Sequence, residues 1–245
     1  MTVRQRIRLH ARLGRVSNLP TVCSNVLAGA VLGGGTTHPA VLVLLTIAMC
    51  SFYVGGMYLN DAFDRKIDAI ERPERPIPSH LIDARRVFAI GFAALGAGIG
   101  ILAGLRLVGH GHAGTMASAL ALAFVIVVYD VWHKGNPFGP FLMATCRVLV
   151  YVTAALATGA RTPGPVIVGS VILFGYLSAL TYVAKHERRL LPRTVPRGAV
   201  IGWLIAGISL VDAVLVAVSG RPGVALLCVA AGALTLVSQR AVAGT

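Results

Sequence analysis

Apolar residues in this chain gather into stretches as long as a bilayer is thick, and little is left between them. A helix needs about 20 consecutive apolar residues to cross roughly 30 Å of hydrocarbon. Runs of that length fall at roughly residues 17–36, 40–60, 86–107, 113–131, 139–159, 165–185, 198–218 and 222–239, so about eight crossings is the most economical reading. Each must be helical, because backbone groups find no water to bond inside the bilayer. Composition agrees: 56% of residues are hydrophobic and 13% charged, against about a quarter charged in a soluble domain. The chain therefore reads as an all-α, polytopic membrane bundle forming a single domain over residues 1–245, with no soluble domain or low-complexity segment. Glycines crowd the spans (Gly91, Gly96, Gly98, Gly100 and Gly104 in the third), where small residues let helix backbones approach.

Charge sets the expected orientation, since loops rich in Lys and Arg stay cytoplasmic. Arg4, Arg6, Arg8, Arg12 and Arg15 precede the first span, and Arg65, Lys66, Arg72, Arg75, Arg85 and Arg86 follow the second. Lys134 follows the fourth; Lys185, Arg188, Arg189, Arg193 and Arg197 follow the sixth. The alternate loops hold only Arg106, Arg161 and Arg221. Both termini are thus expected in the cytoplasm of a multi-pass inner-membrane protein. The net charge of +13 follows from this asymmetry and suits anionic lipid headgroups. It does not indicate nucleic acid, because no soluble basic domain or RNA-binding motif accompanies it. The basic, amphipathic segment from Arg4 to Arg15 is expected along the inner leaflet. No small-residue cleavage site follows it, so the next apolar run reads as a retained span. Cys23, Cys50, Cys146 and Cys228 lie singly in different spans and match neither a zinc pattern nor a disulfide framework.

The second span ends in Asn60-Asp61-Ala62-Phe63-Asp64-Arg65-Lys66-Ile67-Asp68, followed by Arg72-Pro73-Glu74-Arg75-Pro76-Ile77-Pro78-Ser79. Carboxylates at the edge of a span are expensive and functional by default. If the helix continues at about 100° per residue, Asp61, Asp64 and Asp68 share roughly 60° of arc. Such a cluster repels itself unless a cation neutralises it. Mg²⁺ fits, because it takes oxygen ligands and commonly uses one or two carboxylates together with a substrate's phosphates. The pattern points to a Mg²⁺–diphosphate site at the membrane surface, with Asp61, Asp64 and Asp68 as metal-binding and catalytic candidates. Glu71, Glu74 and Asp83 read as solvated surface. Arg147, inside the fifth span, is costly without a partner, and diphosphate contact is the favoured role. Asn25 either contacts substrate or bonds between helices. Asp212 has no evident partner in the sequence, and His110 with His112 supplies too few ligands for a closed metal site.

With the acidic motif, Arg75-Pro76-Ile77-Pro78-Ser79 and the apolar spans in place, the chain resembles the UbiA superfamily of intramembrane prenyltransferases over essentially its whole length. The resemblance implies a helical bundle whose cytoplasmic mouth holds Mg²⁺ and an isoprenoid diphosphate, with the isoprenoid tail in a lipid-accessible tunnel. Asn60, Asp61, Asp64 and Asp68 match the family's first acidic motif. By the same resemblance Asn25 contacts the diphosphate, and Tyr129 with Lys134 stands for the family's tyrosine and lysine after the fourth span. Their spacing is one residue longer than the family's, so His133 or Asp130 is available to share that role. The second acidic motif departs further: Tyr182-Val183-Ala184-Lys185-His186-Glu187-Arg188-Arg189 carries one acid among basic residues. Lys185, Glu187 and Arg188 are the substrate-binding candidates there, and a second Mg²⁺ lacks ligands. Tyr129-Asp130, Lys134, Pro137, Gly139-Pro140, Met143 and Cys146-Arg147 are similar to the EboC-like branch of the superfamily.

The implied reaction is Mg²⁺-dependent transfer of an isoprenyl group from an allylic diphosphate to an acceptor, with release of diphosphate. Catalysis must stabilise charge on the leaving group more in the transition state than in the substrate. Mg²⁺ at Asp61 and Asp64 would act as a Lewis acid, with Asn25, Lys134 and Arg147 donating to the remaining oxygens. Tyr58, Tyr151 and Tyr182 are the candidate ring faces for the developing carbocation. Aromatic rings, sugars, polyols and glycerol phosphates all remain open as acceptors. A transporter is disfavoured, because the acids crowd one edge of the bundle instead of its midplane. A catalytically silent isoprenoid-diphosphate-binding or scaffold protein is the alternative, since the second acidic motif is eroded and fold does not establish function.

Overall fold

The computed structural model describes residues 1–35, 38–190 and 196–242, apart from the side chains of Arg188 and Arg197, so Arg193 lies outside the described residues. The described elements are helical: α1 (Val3–Leu13), a 3₁₀ turn (Val16–Asn18), α2 (Leu19–Leu32), α3 (Pro39–Glu71), α4 (Ala84–Leu107), α5 (Gly114–Trp132), α6 (Gly139–Ala157), α7 (Pro163–Lys185), α8 (Glu187–Leu190), α9 (Arg197–Val218) and α10 (Pro222–Ala241). Among the described residues, 7 helices are long and apolar enough to cross a membrane: α3 to α7, α9 and α10. The first expected span differs, because its apolar helical segment, Val16–Leu32, is shorter.

That short segment is nevertheless central. Val22, Asn25, Val26, Ala28, Ala30 and Leu32 of α2 are all buried, and α2 touches α3, α6, α7, α9 and α10. Two apolar clusters form the core. In one, Val22 and Val26 of α2 meet Met49 and Phe52 of α3, Leu102 of α4, Leu122 of α5 and Val150 of α6. In the other, Ala28 and Leu32 of α2 meet Tyr151 of α6, Leu173 of α7, Ile208 of α9 and Cys228 of α10. Helices α2 and α6 belong to both, so neither cluster is a separable unit. The two helices press together at Gly29, where a Cβ would stand 2.6 Å from the Tyr151 carbonyl oxygen and 2.9 Å from its Cα. On the outside, Phe92, Phe124, Ile167, Trp203, Val214 and Leu227 are exposed, an apolar surface of the kind that faces lipid.

Local chemistry sets the helix limits. Pro39, Pro163 and Pro222 stand in the first turns of α3, α7 and α10, where the missing N–H is not needed and φ is preset. Asp83 caps α4 by accepting the Arg85 N–H at 2.6 Å. A reciprocal Thr2–Gln5 capping box starts α1. Leu9 and Leu13 of α1 are buried against Tyr58, Ala62 and Val87, so this basic helix docks by one edge on α3 and α4 while Val3 and Ile7 stay exposed.

The α2–α6 contact leaves no room for a side chain, so Gly29→Ala should destabilise the bundle by about 1–3 kcal/mol through overpacking. Thermal unfolding in detergent would read this as a lowered midpoint. Gly96→Ala, where a Cβ meets nothing within 4 Å, should leave the midpoint unchanged.

Candidate active site

Helix α3 runs unbroken through the acidic motif to Glu71, which puts Asp61, Asp64 and Asp68 on one face as the periodicity predicts. Asp64 and Asp68 are only 6% and 1% exposed, and carboxylates so poorly hydrated need charge partners. Arg75 Nη1 lies 2.8 Å from Asp68 Oδ2 and 3.3 Å from Asp61 Oδ1. Lys134 Nζ lies 3.4 Å from both Asp64 Oδ2 and Asp68 Oδ1. His133 Nε2 is 3.4 Å from Asp64 Oδ2, and Arg15 Nη2 is 3.7 Å from Asp61 Oδ1. These partners come from three connections, after α1, after α3 and after α5, and the pairing folds all three over the end of α3. Arg15 adopts a φ of 42°, in the left-handed region that side-chain-bearing residues rarely occupy. From there it also donates to Asn60 Oδ1 at 3.4 Å.

Two cavities lie beside this cluster and share a wall. The first, about 250 Å³, is lined by Arg15, Arg72, Arg75, Arg147, Asn18 and apolar residues of α7 and α9 such as Leu177 and Ile205. The second, about 50 Å³, is an apolar chamber between Val22, Met49, Phe52, Leu122, Ile126 and Val150, with Asp130 also in its wall. Tyr53, Met57, Tyr129, Met143 and Arg147 belong to both. At that size the chamber is nearly closed. Three of its lining residues, Met49, Met57 and Met143, are unbranched and can repack around an apolar chain.

Arg147 reaches this shared wall from a buried polar chain. Its Nη1 donates to Asn25 Oδ1 at 2.8 Å and its Nη2 to Thr21 Oγ1 at 3.1 Å. Asn25 Nδ2 in turn donates to Asp212 Oδ2 at 2.9 Å and Oδ1 at 3.1 Å. Ser24 and Tyr151 also donate their hydroxyls to Asp212, and Ser209 Oγ sits 2.9 Å from Ser24 Oγ. Asp212, without an evident partner in the sequence, is therefore held by three side chains from α2 and α6. The Arg147 guanidinium lies 5.3 Å from the Tyr53 ring centroid, a cation–π contact.

The structure brings most of the sequence candidates together. Asp61, Asp64, Asp68, Lys134 and Asn60 share the acidic cluster, and Tyr129 and Arg147 line the cavities. Asn25 lines neither cavity: it is fully buried and its amide is committed between Arg147 and Asp212. The asparagine at the mouth is Asn18, whose Nδ2 donates to the Tyr53 hydroxyl at 3.2 Å. Lys185 donates to the Asn136 carbonyl at 2.9 Å, tying the end of α7 to the α5–α6 connection, and lines neither cavity. Glu187 opens α8 and, among the described residues, forms no ion pair. The side chain of Arg188 lies outside the described residues. The three tyrosines expected to face a carbocation are elsewhere: Tyr58 pairs with His10 Nδ1 at 2.8 Å, Tyr151 holds Asp212, and Tyr182 is 54% exposed. The tyrosines at the cavities are Tyr53 and Tyr129, the latter stacked on His133 with centroids 4.8 Å apart.

The donor set fits one Mg²⁺ in company with a diphosphate. All three carboxylates offer oxygen, and Mg²⁺ needs only one or two of them when phosphate oxygens complete its shell. Among the described residues, no group of three or more His, Cys, Asp or Glu is gathered to hold a metal by itself. The carboxylates are neutralised instead by Arg75, Lys134 and Arg15, cations suited to binding phosphate oxygens as well.

Removing Asp212 would strand the Arg147 charge. Asp212→Leu should therefore lower stability by about 3–5 kcal/mol, the usual effect of breaking a buried charge network. The double variant Asp212→Leu/Arg147→Met should recover part of that loss. A double-mutant cycle of thermal unfolding measures the coupling.

Comparison with known proteins places this arrangement. The chain is 27% identical over 187 residues to the digeranylgeranylglyceryl phosphate synthase of Methanopyrus kandleri, covering 76% of this chain and 62% of the relative. It is 35% identical over 112 residues to that of Methanothrix thermoacetophila, covering 46% of this chain and 38% of the relative. The chain thus spans less than two thirds of the length of these curated relatives. Among solved structures, a UbiA homolog from Archaeoglobus fulgidus bound to GPP and Mg²⁺ superposes with a TM-score of 0.63 at 14% identity, over 94% of this chain and 99% of the other. That likeness establishes the fold. The profile described as the UbiA prenyltransferase family matches residues 22–244, and the chain belongs to that family.

Proposed function

We propose that the protein transfers an isoprenyl group from an allylic isoprenoid diphosphate to an acceptor, releasing diphosphate, in a Mg²⁺-dependent reaction. The observation that carries this reading is the shared wall between a mouth lined by arginines, beside three carboxylates, and an apolar chamber. A donor with an anionic head and an apolar tail matches both halves. The names of the relatives, which specify a geranylgeranylated glyceryl phosphate, and the GPP or DMAPP with Mg²⁺ in the solved neighbours support the same donor class.

Mg²⁺ held by Asp61 with Asp64 or Asp68 would polarise diphosphate oxygens as a Lewis acid. Arg15, Arg72, Arg75 and Arg147 surround the remaining oxygens, and guanidinium forks pair with phosphate through parallel donors. As a diphosphate enters, Arg75 and Lys134 exchange carboxylate oxygens for phosphate oxygens and keep their charge paired. Tyr53 and Tyr129 present ring faces where the allylic carbon loses its leaving group. The apolar chamber excludes water, which would otherwise capture the cation. The basic residues concentrate at the end of the bundle that carries this site, which supports a cytoplasmic site and cytoplasmic termini in an inner-membrane protein. The two clusters joined through α2 and α6 support a single domain.

The test is diphosphate release from purified protein offered geranyl, farnesyl and geranylgeranyl diphosphates with Mg²⁺ and a membrane-lipid extract. Asp64→Ala should lower release by at least about 10²-fold, the scale for losing a transition-state charge stabiliser, with an unchanged unfolding midpoint. Full activity in Asp64→Ala would remove the carboxylate from the site. A silent isoprenoid-diphosphate binder is favoured by one observation, the single acid between Tyr182 and Arg189, and Mg²⁺-dependent donor binding without release would establish it.

Glu187 is the one acid at the position of the family's second acidic motif. Glu187→Ala should raise the Mg²⁺ concentration for half-maximal activity several-fold. An unchanged metal requirement would place Glu187 outside the site.

A further inference from the structure

Helix α2 is too short to fill the bundle it centres. Its 14 residues rise about 21 Å, against roughly 30 Å of hydrocarbon. It starts beside the mouth, so the shortfall lies at the opposite end of the bundle. There a groove of about 580 Å³ opens between α7 and α9, against about 250 Å³ for the mouth, a size typical of ligand sites. Val31 and Leu32 of α2, Val168 of α7 and Leu215 of α9 line it within the spans. Arg221, in the connection from α9 to α10, lines it at the surface.

Two observations indicate what this groove takes. Its wall does not call for water, because the polar groups around the end of α2 are already paired within the protein. The Leu32 carbonyl accepts the Thr162 hydroxyl at 3.0 Å, and the Gly33 carbonyl accepts the N–H groups of Arg161 and Thr162 at 2.8 and 3.1 Å. Ser219 Oγ donates to the Leu215 carbonyl at 2.8 Å. Water is held by several polar partners and leaves apolar cavities dry, so the apolar sides suit an acyl chain. Arg221, by contrast, calls for an anion that the chain does not supply. It is exposed and forms no ion pair among the described residues. None of the nine Asp and Glu residues lies in the connections at this end, residues 33–38, 108–113, 158–162 and 219–221. The fixed charges there are Arg106, Arg161 and Arg221, all cationic.

We infer that this groove binds an anionic phospholipid from the leaflet opposite the acidic cluster, with an acyl chain between α7 and α9 against the end of α2 and the headgroup phosphate on Arg221. The site is independent of the prenyl-transfer reading. A guanidinium pairs with phosphate oxygens through parallel donors. A zwitterionic headgroup would bring its own cation to an end that already carries only positive charge, so a net-anionic headgroup is preferred. The acyl chain continues the packing where α2 stops, and a ligand that binds only the folded bundle stabilises it.

The test uses the full chain, delipidated in detergent and supplied with phosphatidylglycerol bearing a photoreactive acyl chain. Crosslinked peptides should map to α7 and α9 around Val168 and Leu215. Unlabelled phosphatidylglycerol should raise the thermal unfolding midpoint, whereas phosphatidylcholine, which lacks net charge, and glycerol 3-phosphate, which lacks the chains, should not. Arg221→Gln should weaken phosphatidylglycerol binding by about fivefold or more, the effect of one basic residue at an anionic headgroup. Arg161→Gln, at the same end but outside the groove, should leave binding unchanged. Val168→Trp, at a position 57% exposed, should suppress crosslinking while the midpoint without lipid stays the parent's. Equal protection by phosphatidylcholine, or by glycerol 3-phosphate alone, overturns the inference. So do an unchanged affinity in Arg221→Gln, an equal loss in Arg161→Gln, and crosslinks spread evenly over the lipid-facing helices.

Discussion

A charge inside hydrocarbon has to be answered by another group, and here Arg147 is answered by Asp212 through Asn25. That relay joins α6 to α2 and α2 to α9 at a depth where water cannot substitute for a missing partner. Ser24, Tyr151 and Thr21 complete it, so the polar groups are satisfied and the network specifies one packing of three helices. Arg147 also forms part of both cavity walls and stands over Tyr53. The boundary between the polar mouth and the apolar chamber is thereby built on the same side chains that hold the helices in register.

At the end of α3 the same rule acts nearer the surface. Three carboxylates on one helical face repel one another, and Arg15, Arg75, His133 and Lys134 converge on them from three separate connections. The acidic motif therefore organises its own surroundings. The α3–α4 connection is fixed as well by its own backbone hydrogen bonds and by Ile77 and Ile82 packed on the cluster around Leu13 and Tyr58, which holds Arg75 in place beside the motif.

Much of this was legible in the chain, and what was missed shares a cause. The acidic motif, its unbroken helix and the helical class follow from local periodicity, which one sequence displays. Tyr53 was within reach of the same reasoning: it lies two turns before Asn60 on α3, as Met57 does before Asp64, so both tyrosine and methionine fall on the motif's face. Asp212 was not within reach, because its partners on α2 are separated from it by 187 and 188 residues. Whether Asn25 contacts substrate or bonds between helices turned on the same contact, since it is Asp212 that commits Asn25 to the helix interface. Tyr58, Tyr151 and Tyr182 were plausible by proximity in sequence to charged residues, but each is turned to a local partner or to the exterior. The length of α2 was misjudged because the helix stops at Leu32, where Gly33 caps it and Gly34 turns the chain at a φ of 63°.

The brevity of α2 has a consequence for how the protein is made. It leaves the ribosome well before α9, which carries the acid that satisfies Asn25. Until then α2 has α3, α6 and α7 to pack against but neither α9 nor α10, and Asn25 lacks the carboxylate it donates to. Assembly must therefore close from α9 and α10 back onto α2. A chain interrupted before α9 would be left with its centre exposed, a state that quality control can recognise as unfinished.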